Sequence, residues 1–362
     1  MSRICANPPC GRPLPEGRPA RAIYCSAVCS QKASNAKRKP PPLPEKECAF
    51  CLQSFQPRSD QQLYCNQGCA HSAYTAARHE ARAKSGDALF GIRDNINIEG
   101  VPDVEEGEFA LYLGDGHGIF RDQALHDVID QVIGDFQPDR IFYGGDHLID
   151  FYDISYFDKN PTRRFNIQDE ISQAAAQLDY QASIAPNAKR HFLGGNHEDR
   201  LRRYLWQHPE LAPLEQEDTG EPLLTVPSLF HLKSRKVSYI PFPGRLDYQG
   251  FVITHGPGGQ RAGLQVKLCA KWMGEYIRSS GCCFHFHRQQ SYSWINDQGL
   301  PQAFYAVGCT CNLNPDYNPF PDWQQGFAYS RVVDGKVHFT PVAVFGGVFL
   351  VEGKPYRYGG AA

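Results

Sequence analysis

The stretch Tyr143-Gly144-Gly145-Asp146-His147 follows a short apolar run, 141–143, that predicts a buried strand. The two glycines allow the backbone to turn sharply where that strand ends. Asp146 would then lie at the carboxyl end of a strand, where open α/β sheets place their sites. Because Gly-Gly-Asp is most often only a turn, this stretch alone does not establish a site.

Four further stretches place Asp, Asn or His in the same kind of position, each after an apolar run. They are Asp115-Gly116-His117, Gly195-Asn196-His197-Glu198, His255-Gly256 and His285-Phe286-His287. These side chains supply the oxygen and nitrogen ligands that divalent metals use in proteins. Five strand ends of this kind therefore predict a metal site rather than a set of turns.

The pattern around these stretches predicts two sheets. Predicted strands 109–113, 140–143 and 191–193 alternate with amphipathic helices 122–136 and 167–183, which is typical of right-handed βαβ units. After residue 237 one helix, 262–279, interrupts a strand-rich region. Its predicted strands are 237–240, 251–254, 282–286, 303–307, 327–333 and 336–344. We expect a two-sheet core with helices outside it.

Length and composition restrict the class of protein. A chain of 362 residues with 41% apolar residues and a net charge of −2 fits one large domain plus small modules. No apolar run approaches the roughly 20 residues that a membrane span needs. The start, Met1-Ser2-Arg3-Ile4-Cys5, carries no signal-peptide apolar region. A soluble, cytoplasmic protein with no membrane partner is the expectation.

Eight of the 13 cysteines lie before residue 70 and form a repeat. The first set is Cys5, Cys10, Cys25 and Cys29, and the second set is Cys48, Cys51, Cys65 and Cys69. Two paired knuckles separated by about a dozen residues, found twice, predict two structural Zn²⁺ ions, each held by four thiolates. Segments this short bury little apolar surface, so the metal would supply most of their folding free energy. The pattern resembles treble-clef or zinc-ribbon modules, at 1–40 and 41–86.

The N-terminal arm is basic, whereas the rest of the chain is acidic. Residues 1–86 carry 13 Lys/Arg and 5 Asp/Glu, and the remainder carries 24 and 34. Cations that follow the two cysteine sets would neutralise phosphates, which favours DNA or RNA as a partner. These cations are Lys32, Lys37, Arg38, Lys39, Arg78, Arg82 and Lys84. A structural or protein-binding zinc module with a solvated basic helix is the open alternative. We place a linker at 87–107 and a catalytic body at 108–362.

In this order, the five stretches resemble the full motif set of the calcineurin-like metallophosphoesterases, over residues 109 to about 290. The segments 146–161 and 323–327 also resemble members common in bacteriophage genomes. The resemblance implies an αββα sandwich of four layers that holds two metals. The family usually has Gly-His-x-His at the last motif, but here Phe284 stands at the position of the glycine, and Glu198 stands where Asp is commoner.

The resemblance also implies roles for these residues. One metal would be held by Asp115, His117, Asp146 and His287, and the other by Asp146, Asn196, His255 and His285. Asp146 would bridge the two. Mn²⁺ is the expected metal, with Fe²⁺ and Zn²⁺ as alternatives, since imidazole and carboxylate ligands suit all three. His197 would be the general acid that protonates the leaving oxygen, and Glu198 would orient its ring.

The leading prediction is a metal-dependent phosphoesterase that cleaves phosphodiesters with an activated water, as a nuclease does. One alternative is a phosphomonoesterase acting on nucleotides or phosphoproteins, with a protein-binding arm. Another is a non-catalytic nucleic-acid-binding protein. Relatives often dimerise, which leaves a homodimer open. Arg163, Arg164, Arg200, Arg202 and Arg203 are candidate phosphate contacts, although a solvated surface is favoured for each. Five late cysteines, Cys269, Cys282, Cys283, Cys309 and Cys311, are expected to be buried thiols.

Overall fold

The computed structural model describes residues 3–7, 10–17, 19–38, 43–66, 68–70, 73, 97–257, 267–315 and 321–359, without the side chains of 34–38. The chain divides into two compact units, Met1–Gly91 and Ile92–Ala362, called here the arm and the body. Among the described residues, no helix is both long and apolar enough to cross a membrane.

The arm contains little regular structure. The sequence predicts a short helix after each cysteine set, at 31–39 and 71–84. Helix α1 (Ala27–Arg38) begins four residues before the first of these, between Cys25 and Cys29. Strands β1 (Lys46–Glu47) and β2 (Ser54–Phe55) form a short antiparallel hairpin in the second set. The predicted second basic helix, 71–84, lies outside the described residues except for residue 73.

The body contains most of the regular structure of the chain. Its strands are β3 (Ile98–Gly100), β4 (Phe109–Leu113), β5 (Arg140–Tyr143), β6 (Lys189–Leu193), β7 (Val237–Ile240), β8 (Arg245–Tyr248), β9 (Phe251–Thr254), β10 (Gly281–Cys283), β11 (Gln289–Ile295), β12 (Pro301–Val307), β13 (Gly326–Val333), β14 (Lys336–Ala343), β15 (Val348–Val351) and β16 (Lys354–Arg357). Its helices are α2 (Gln123–Phe136), α3 (Ile167–Ile184), α4 (Glu198–Gln207), α5 (Val226–Leu229) and α6 (Cys269–Ile277).

Two six-stranded sheets form the framework of the body. Sheet I has the order β14-β13-β4-β5-β6-β7, and sheet II has the order β11-β12-β10-β9-β8-β3. Strands β4 to β7 are parallel to one another in sheet I, as are β9, β10 and β12 in sheet II, whereas β13, β8 and β11 run antiparallel beside them. Parallel neighbours end on the same edge of a sheet, so each sheet gathers several strand ends in one place.

The two sheets pack face to face, and helices cover their outer faces. Alternate residues of sheet I, such as Tyr112 and Phe142, share one core cluster with Ile253 and Cys282 of sheet II. On the outside, Phe109 of β4 stacks on Phe136 of α2, with ring centroids 5.5 Å apart. Helix α6 covers sheet II through a second apolar cluster, which consists of Cys269, Ala270, Met273, Cys283, Phe286, Phe304 and Ala306. The predicted αββα sandwich of four layers is confirmed.

A buried arginine at the start of β5 connects the two sheets. Arg140 is fully buried and its guanidinium contacts the carboxylate of Glu108, which also accepts a hydrogen bond from Tyr248 Oη at 2.6 Å. The same guanidinium lies 3.0 Å from His191 Nε2 and donates to the carbonyl oxygen of Asp103 at 2.7 Å. Removing one member of this buried network would leave another charged or polar group unpaired, which is strongly destabilising.

Helix boundaries follow local signals in the sequence. The Asp122 side chain accepts a hydrogen bond from Leu125 N and so caps α2, which places Asp122 outside the helix rather than inside it. Asn166 and Asp169 form a capping box at the start of α3. The predicted helix 262–279 is observed as α6, and its part before residue 267 lies outside the described residues.

Candidate metal centres

The predicted ligands meet at the carboxyl ends of strands from both sheets. In sheet I, Asp115, Asp146 and Asn196 follow β4, β5 and β6. In sheet II, His255 follows β9, and the segment with His285 and His287 follows β10. Hydrogen bonds connect these loops: His117 N donates to Asp146 O at 2.7 Å, and His285 N donates to Asp115 Oδ2 at 2.7 Å.

Five of the seven predicted ligands have a left-handed backbone. Their φ angles are 47° at Asp115, 53° at His117, 50° at Asp146, 70° at His285 and 55° at His287. A non-glycine residue in a sparsely populated region costs about 1–3 kcal/mol and persists only where the surroundings impose it. This concentration of left-handed residues explains an error at β10. Strand 282–286 was predicted, but the strand ends at Cys283 because the following residues turn into the site.

One group of ligand atoms contains Asp115, His117 and His287. The Nε2 atoms of His117 and His287 lie 2.9 Å apart, and His287 Nε2 lies 3.4 Å from Asp115 Oδ1. All three residues are buried, and their nearest ligand atoms lie within 4.8 Å of one another. These are the residues predicted for the first metal, together with Asp146.

A second group surrounds His255. Its Nε2 atom lies 3.0 Å from Asn196 Oδ1 and 3.2 Å from Asp146 Oδ2. Its other nitrogen, Nδ1, lies 2.9 Å from Gly144 O, an acceptor that fixes which nitrogen carries the proton. The ring of His285 lies 5.2 Å from that of His255, measured between centroids. Asp146 also belongs to a cluster with His117, so it lies between the two groups, where a bridging ligand would have to be.

Two buried polar atoms of the predicted ligands have no hydrogen-bond partner among the described residues. They are Asp115 Oδ1 and His287 Nδ1. Two imidazole nitrogens at 2.9 Å and a carboxylate beside them place lone pairs close together, which a shared cation would stabilise. The residues present therefore fit divalent metals with mixed nitrogen and oxygen ligands.

Electrostatics of the site favour ionised carboxylates beside basic imidazoles. Burial alone would raise the pKa of Asp146, but His197 and His255 lower it well below its usual range. Burial would lower the pKa of His255, but Asp146 raises it to about 9. The pKa of His287 is raised to about 10, because the charge of Asp115 outweighs burial. Metal binding would have to displace these protons, so metal affinity would fall at low pH.

His197 lies at the rim of the site, with its side chain 14% exposed. Its Nδ1 atom lies 2.9 Å from Asp150 Oδ2, and its Nε2 atom lies 2.9 Å from a nitrogen of Arg200. Arg200 also donates to Asp150 at 2.6 Å, so the three side chains form a closed set. Burial lowers the pKa of His197, and the carboxylates of Asp146 and Asp150 oppose that effect.

Glu198 was predicted to orient the ring of His197, but its carboxylate contacts backbone amides instead. Its carboxylate accepts hydrogen bonds from the backbone N–H groups of Gly195 at 2.6 Å and Asp146 at 3.0 Å. Glu198 thus connects two ligand loops, and burial raises its pKa to about 8. Asp150 makes the contact with the His197 ring instead.

The loop that carries Asp150 is itself held by a buried carboxylate. Glu170 on α3 accepts hydrogen bonds from the backbone N–H groups of Asp150, Phe151 and Tyr152 at 2.8–3.0 Å. Burial raises the pKa of Glu170 to about 7, with a further contribution from the charge of Asp150. No sequence signal connects Glu170 to the site, because the contact spans about twenty residues and depends on helix packing.

Phe284, at the position of the family's usual glycine, lies beneath the site. The ring is 1% exposed and belongs to the core between the sheets. A Cβ atom built on Gly114 or Gly144 would lie 2.1 Å from the ring, so both glycines are needed for it to fit. These glycines immediately precede the loops of Asp115 and Asp146. The Phe284 ring therefore fills the space under two ligand loops.

The cysteine sets of the arm each bring four sulfurs together. In the first set, Cys25 Sγ lies 3.6 Å from Cys10 Sγ and 3.5 Å from Cys29 Sγ. All four sulfurs of each set lie within 4.8 Å of one another. A tetrahedral Zn²⁺ with Zn–S bonds of about 2.3 Å would separate its sulfurs by about 3.8 Å. Each predicted set of four cysteines could therefore hold a structural Zn²⁺.

The second set repeats the geometry of the first. Cys65 Sγ lies 3.7 Å from Cys51 Sγ and 3.4 Å from Cys69 Sγ, and Cys65 N donates to Cys48 Sγ at 3.4 Å. The corresponding bond in the first set runs from Cys25 N to the Cys5 sulfur at 3.3 Å. Equivalent N–H···S bonds in both sets show that the sequence repeat is also a structural repeat.

The predicted phosphate-binding cations differ in whether they are described and in what they contact. Lys32 is exposed on α1. The remaining cations of the arm lie outside the described residues or have side chains outside them: Lys37, Arg38, Lys39, Arg78, Arg82 and Lys84. In the body, Arg202 and Arg203 both pair with Asp199, whereas Arg200 reaches His197.

The five late cysteines are buried, as predicted. Two of them, Cys309 and Cys311, also lie within 4.8 Å of a ring nitrogen of His287, a neighbourhood that the sequence did not indicate. Their short spacing gave no metal signal, and His287 is more than twenty residues away in the chain.

Comparison with known proteins gives weak likenesses in structure alone. No protein-family model matches the sequence, and a comparison with curated proteins finds no match. Vacuolar Protein Sorting 29 from Cryptosporidium parvum superposes with a TM-score of 0.34 at 11% identity, over 70% of this chain and 96% of that chain. A single mutant of Vps29 from Entamoeba histolytica gives a TM-score of 0.32 at 12% identity, over 69% and 99%. At these low scores, function has to be inferred from the chain's own residues.

Proposed function

We propose that this protein is a dinuclear metal-dependent phosphoesterase that hydrolyses phosphodiesters, with nucleic acid as its substrate. The observation that carries the proposal is the convergence of all seven predicted ligands at one edge of a two-sheet core. The two groups of ligand atoms share Asp146, whose two oxygens allow it to bridge a pair of cations. The same order of motifs is found in the calcineurin-like metallophosphoesterases, which the sequence resembles.

The reaction would depend on metals and on three side chains at the rim of the site, His197, Asp150 and Arg200. Two divalent metals, Mn²⁺ first among the candidates, would supply an activated water and neutralise charge on the phosphate. Asp115, His117, Asp146 and His287 would hold one of them, and Asp146, Asn196, His255 and His285 the other. The protein residues hold these ligands in place through hydrogen bonds between the loops, including those accepted by Glu198.

His197 would donate the proton to the leaving oxygen. Its Nδ1 contact with Asp150 at 2.9 Å orients the ring and stabilises its protonated form. A nitrogen of Arg200 lies 2.9 Å from the other ring nitrogen, Nε2. When Nε2 carries a proton, both groups are donors, so Arg200 would have to move away from the ring and toward the phosphate. A guanidinium in this place suits a phosphate oxygen, since Arg pairs with phosphate in two hydrogen bonds.

The arm supports nucleic acid as the substrate class. Two zinc modules with basic residues would bind the phosphate backbone and hold the substrate near the body. Removing residues 1–91, which form a separate compact unit, should weaken DNA binding and reduce its dependence on salt. Equal affinity and equal salt dependence in the shortened chain would return the arm to a structural or protein-binding role.

The direct test is hydrolysis of end-labelled single- and double-stranded DNA with Mn²⁺ by the wild type and His197→Ala. His208→Ala, on the exposed end of the same helix region, is the control. We expect His197→Ala to keep its metal content and to lose about 10²–10⁴-fold in turnover. Full activity in His197→Ala would remove it from the mechanism. Cleavage of a phosphomonoester but not of DNA would move the substrate to a nucleotide or phosphoprotein.

A further inference from the structure

We propose that Tyr156 and Phe157 form a stacking platform for an unpaired base of a single-stranded nucleic-acid substrate, beside the phosphate that is cleaved. This inference rests on the proposed function and specifies its substrate class. The platform consists of two exposed aromatic rings at the tip of one loop, joined to the site by Arg200.

Both rings are exposed to solvent. Tyr156 is 76% exposed and Phe157 is 48% exposed. Their ring centroids lie 4.2 Å apart with an interplanar angle of 33°. Adjacent apolar surface of this kind on a protein often marks a binding site. Base–aromatic stacking uses such faces, and it tolerates every base because every base has a π-face.

The loop that presents the rings is cross-linked rather than open. Lys159 Nζ donates to Ser155 O and Ser155 Oγ at 2.6 Å and to Phe157 O at 2.8 Å. Asn160 N donates to the hydroxyl of Tyr152 at 2.5 Å. These bonds fix the backbone on both sides of the rings. A base that stacks there would therefore bind a preformed surface, which reduces the entropy cost of binding.

One guanidinium connects the platform to the chemistry. The Arg200 guanidinium carbon lies 5.7 Å from the centre of the Phe157 ring, while a nitrogen of the same group lies 2.9 Å from His197 Nε2. A nucleotide whose phosphate is at His197 would thus place a neighbouring base near Phe157. Arg200 would contact the phosphate, and the aromatic ring would stack on the base. This combination suits a nucleic-acid strand better than an isolated phosphate.

The accessibility of base faces favours a single strand as the occupant. The segment itself is balanced in charge, with Lys159 and Arg164 exposed beside Asp153 and Asp158. In a duplex the base faces are already stacked on their neighbours, so only unpaired bases can use the platform without breaking pairs.

The test compares two short substrates on the metal-loaded full chain. One is a thymidine tetranucleotide, and the other has the same backbone with abasic tetrahydrofuran residues. The variants are Tyr156→Ala and Phe157→Ala. Their controls are Tyr180→Ala and Phe345→Ala, which remove aromatic rings with 55% and 77% exposure elsewhere on the body. Quenching of 2-aminopurine in a labelled strand measures stacking independently of hydrolysis.

We expect each platform variant to raise KM for the thymidine substrate by about 5- to 150-fold, the range for one lost base stack. KM for the abasic substrate should not change, and 2-aminopurine quenching should fall. Unchanged KM and quenching, or equal losses on both substrates, would overturn the platform, and a protein-binding surface would remain for these rings. If the wild type cleaves neither substrate, the proposed function fails, and the quenching measurement still decides whether the rings stack on bases.

Discussion

The contact between Phe284 and Gly144 offers a sharp test of how the core supports the site. A Cβ atom on Gly144 would lie 2.1 Å from Phe284 Cε2, far inside van der Waals contact. Gly144→Ala must therefore displace the ring or the end of β5, and such overpacking costs about 1–3 kcal/mol. Phe284→Ala alone should cost about 3–5 kcal/mol, because it leaves a cavity where a fully buried ring was.

If both changes act through this contact, the double variant should be about as stable as Phe284→Ala alone. The expected coupling free energy is then about 1–3 kcal/mol in favour of the double variant. Urea unfolding of the metal-loaded chain, followed by tryptophan fluorescence, measures it. All four tryptophans lie after residue 200, so the signal reports the body and not the arm.

Gly134→Ala is the matched control. Gly134 lies in α2, and a Cβ atom added there meets nothing within 4 Å. Alanine has the higher helix propensity, so this change should stabilise the body by up to about 1 kcal/mol. Additive free energies for Gly144→Ala and Phe284→Ala would refute the reasoning, because the ring would then not be what limits the space at Gly144.

Three further predictions concern other parts of the molecule. Asp150→Asn should lower kcat by about 10- to 100-fold. It should also move the alkaline fall of kcat to lower pH, because the Asp150 charge raises the pKa of His197. An unchanged pH profile would contradict the role of the contact between Asp150 and His197. Cys65→Ala should release one equivalent of zinc in elemental analysis, whereas Cys282→Ala, in the core of the body, should release none. Arg140→Met should lower the free energy of unfolding by about 3–5 kcal/mol, because the Glu108 carboxylate would stay buried without its partner; a loss below about 1 kcal/mol would show that the ion pair is dispensable.

The sequence predicted the central strands well, because their burial on both faces leaves a plain signal. Strands β4, β5 and β9 have the predicted limits and are buried at every position. Strand β7, which lies at the edge of sheet I and is partly exposed, also has its predicted limits. Five strands of the body were missed: β3, which lies in the predicted linker, and β8, β11, β15 and β16. Strand β8 has only four residues, with Arg and Asp among them, and β11 is polar at every second position. Short or half-exposed strands carry too little apolar pattern to separate them from loops.

Within the site, the sequence predicted which residues meet but not what holds them. Motif order was enough to bring Asp115, Asp146 and His255 together, since each stands at a strand end. The contacts of Asp150 with His197, and of Glu198 with two backbone amides, depend on how loops from different strands cross. No local pattern encodes such contacts. The spacing of residues along the chain predicts candidates, and tertiary packing assigns their partners.

The predicted metal ligands come from both sheets, and this affects how well the protein resists proteolysis in the cell. Asp115, Asp146 and Asn196 extend from sheet I, whereas the histidines after residue 250 extend from sheet II. Cations shared by the two sheets would act as staples across the sandwich, since any ligand of the folded state alone raises its stability by mass action. A cell short of metal would then hold a looser body that proteases open more readily. The amount of this protein, as well as its activity, would follow the supply of metal.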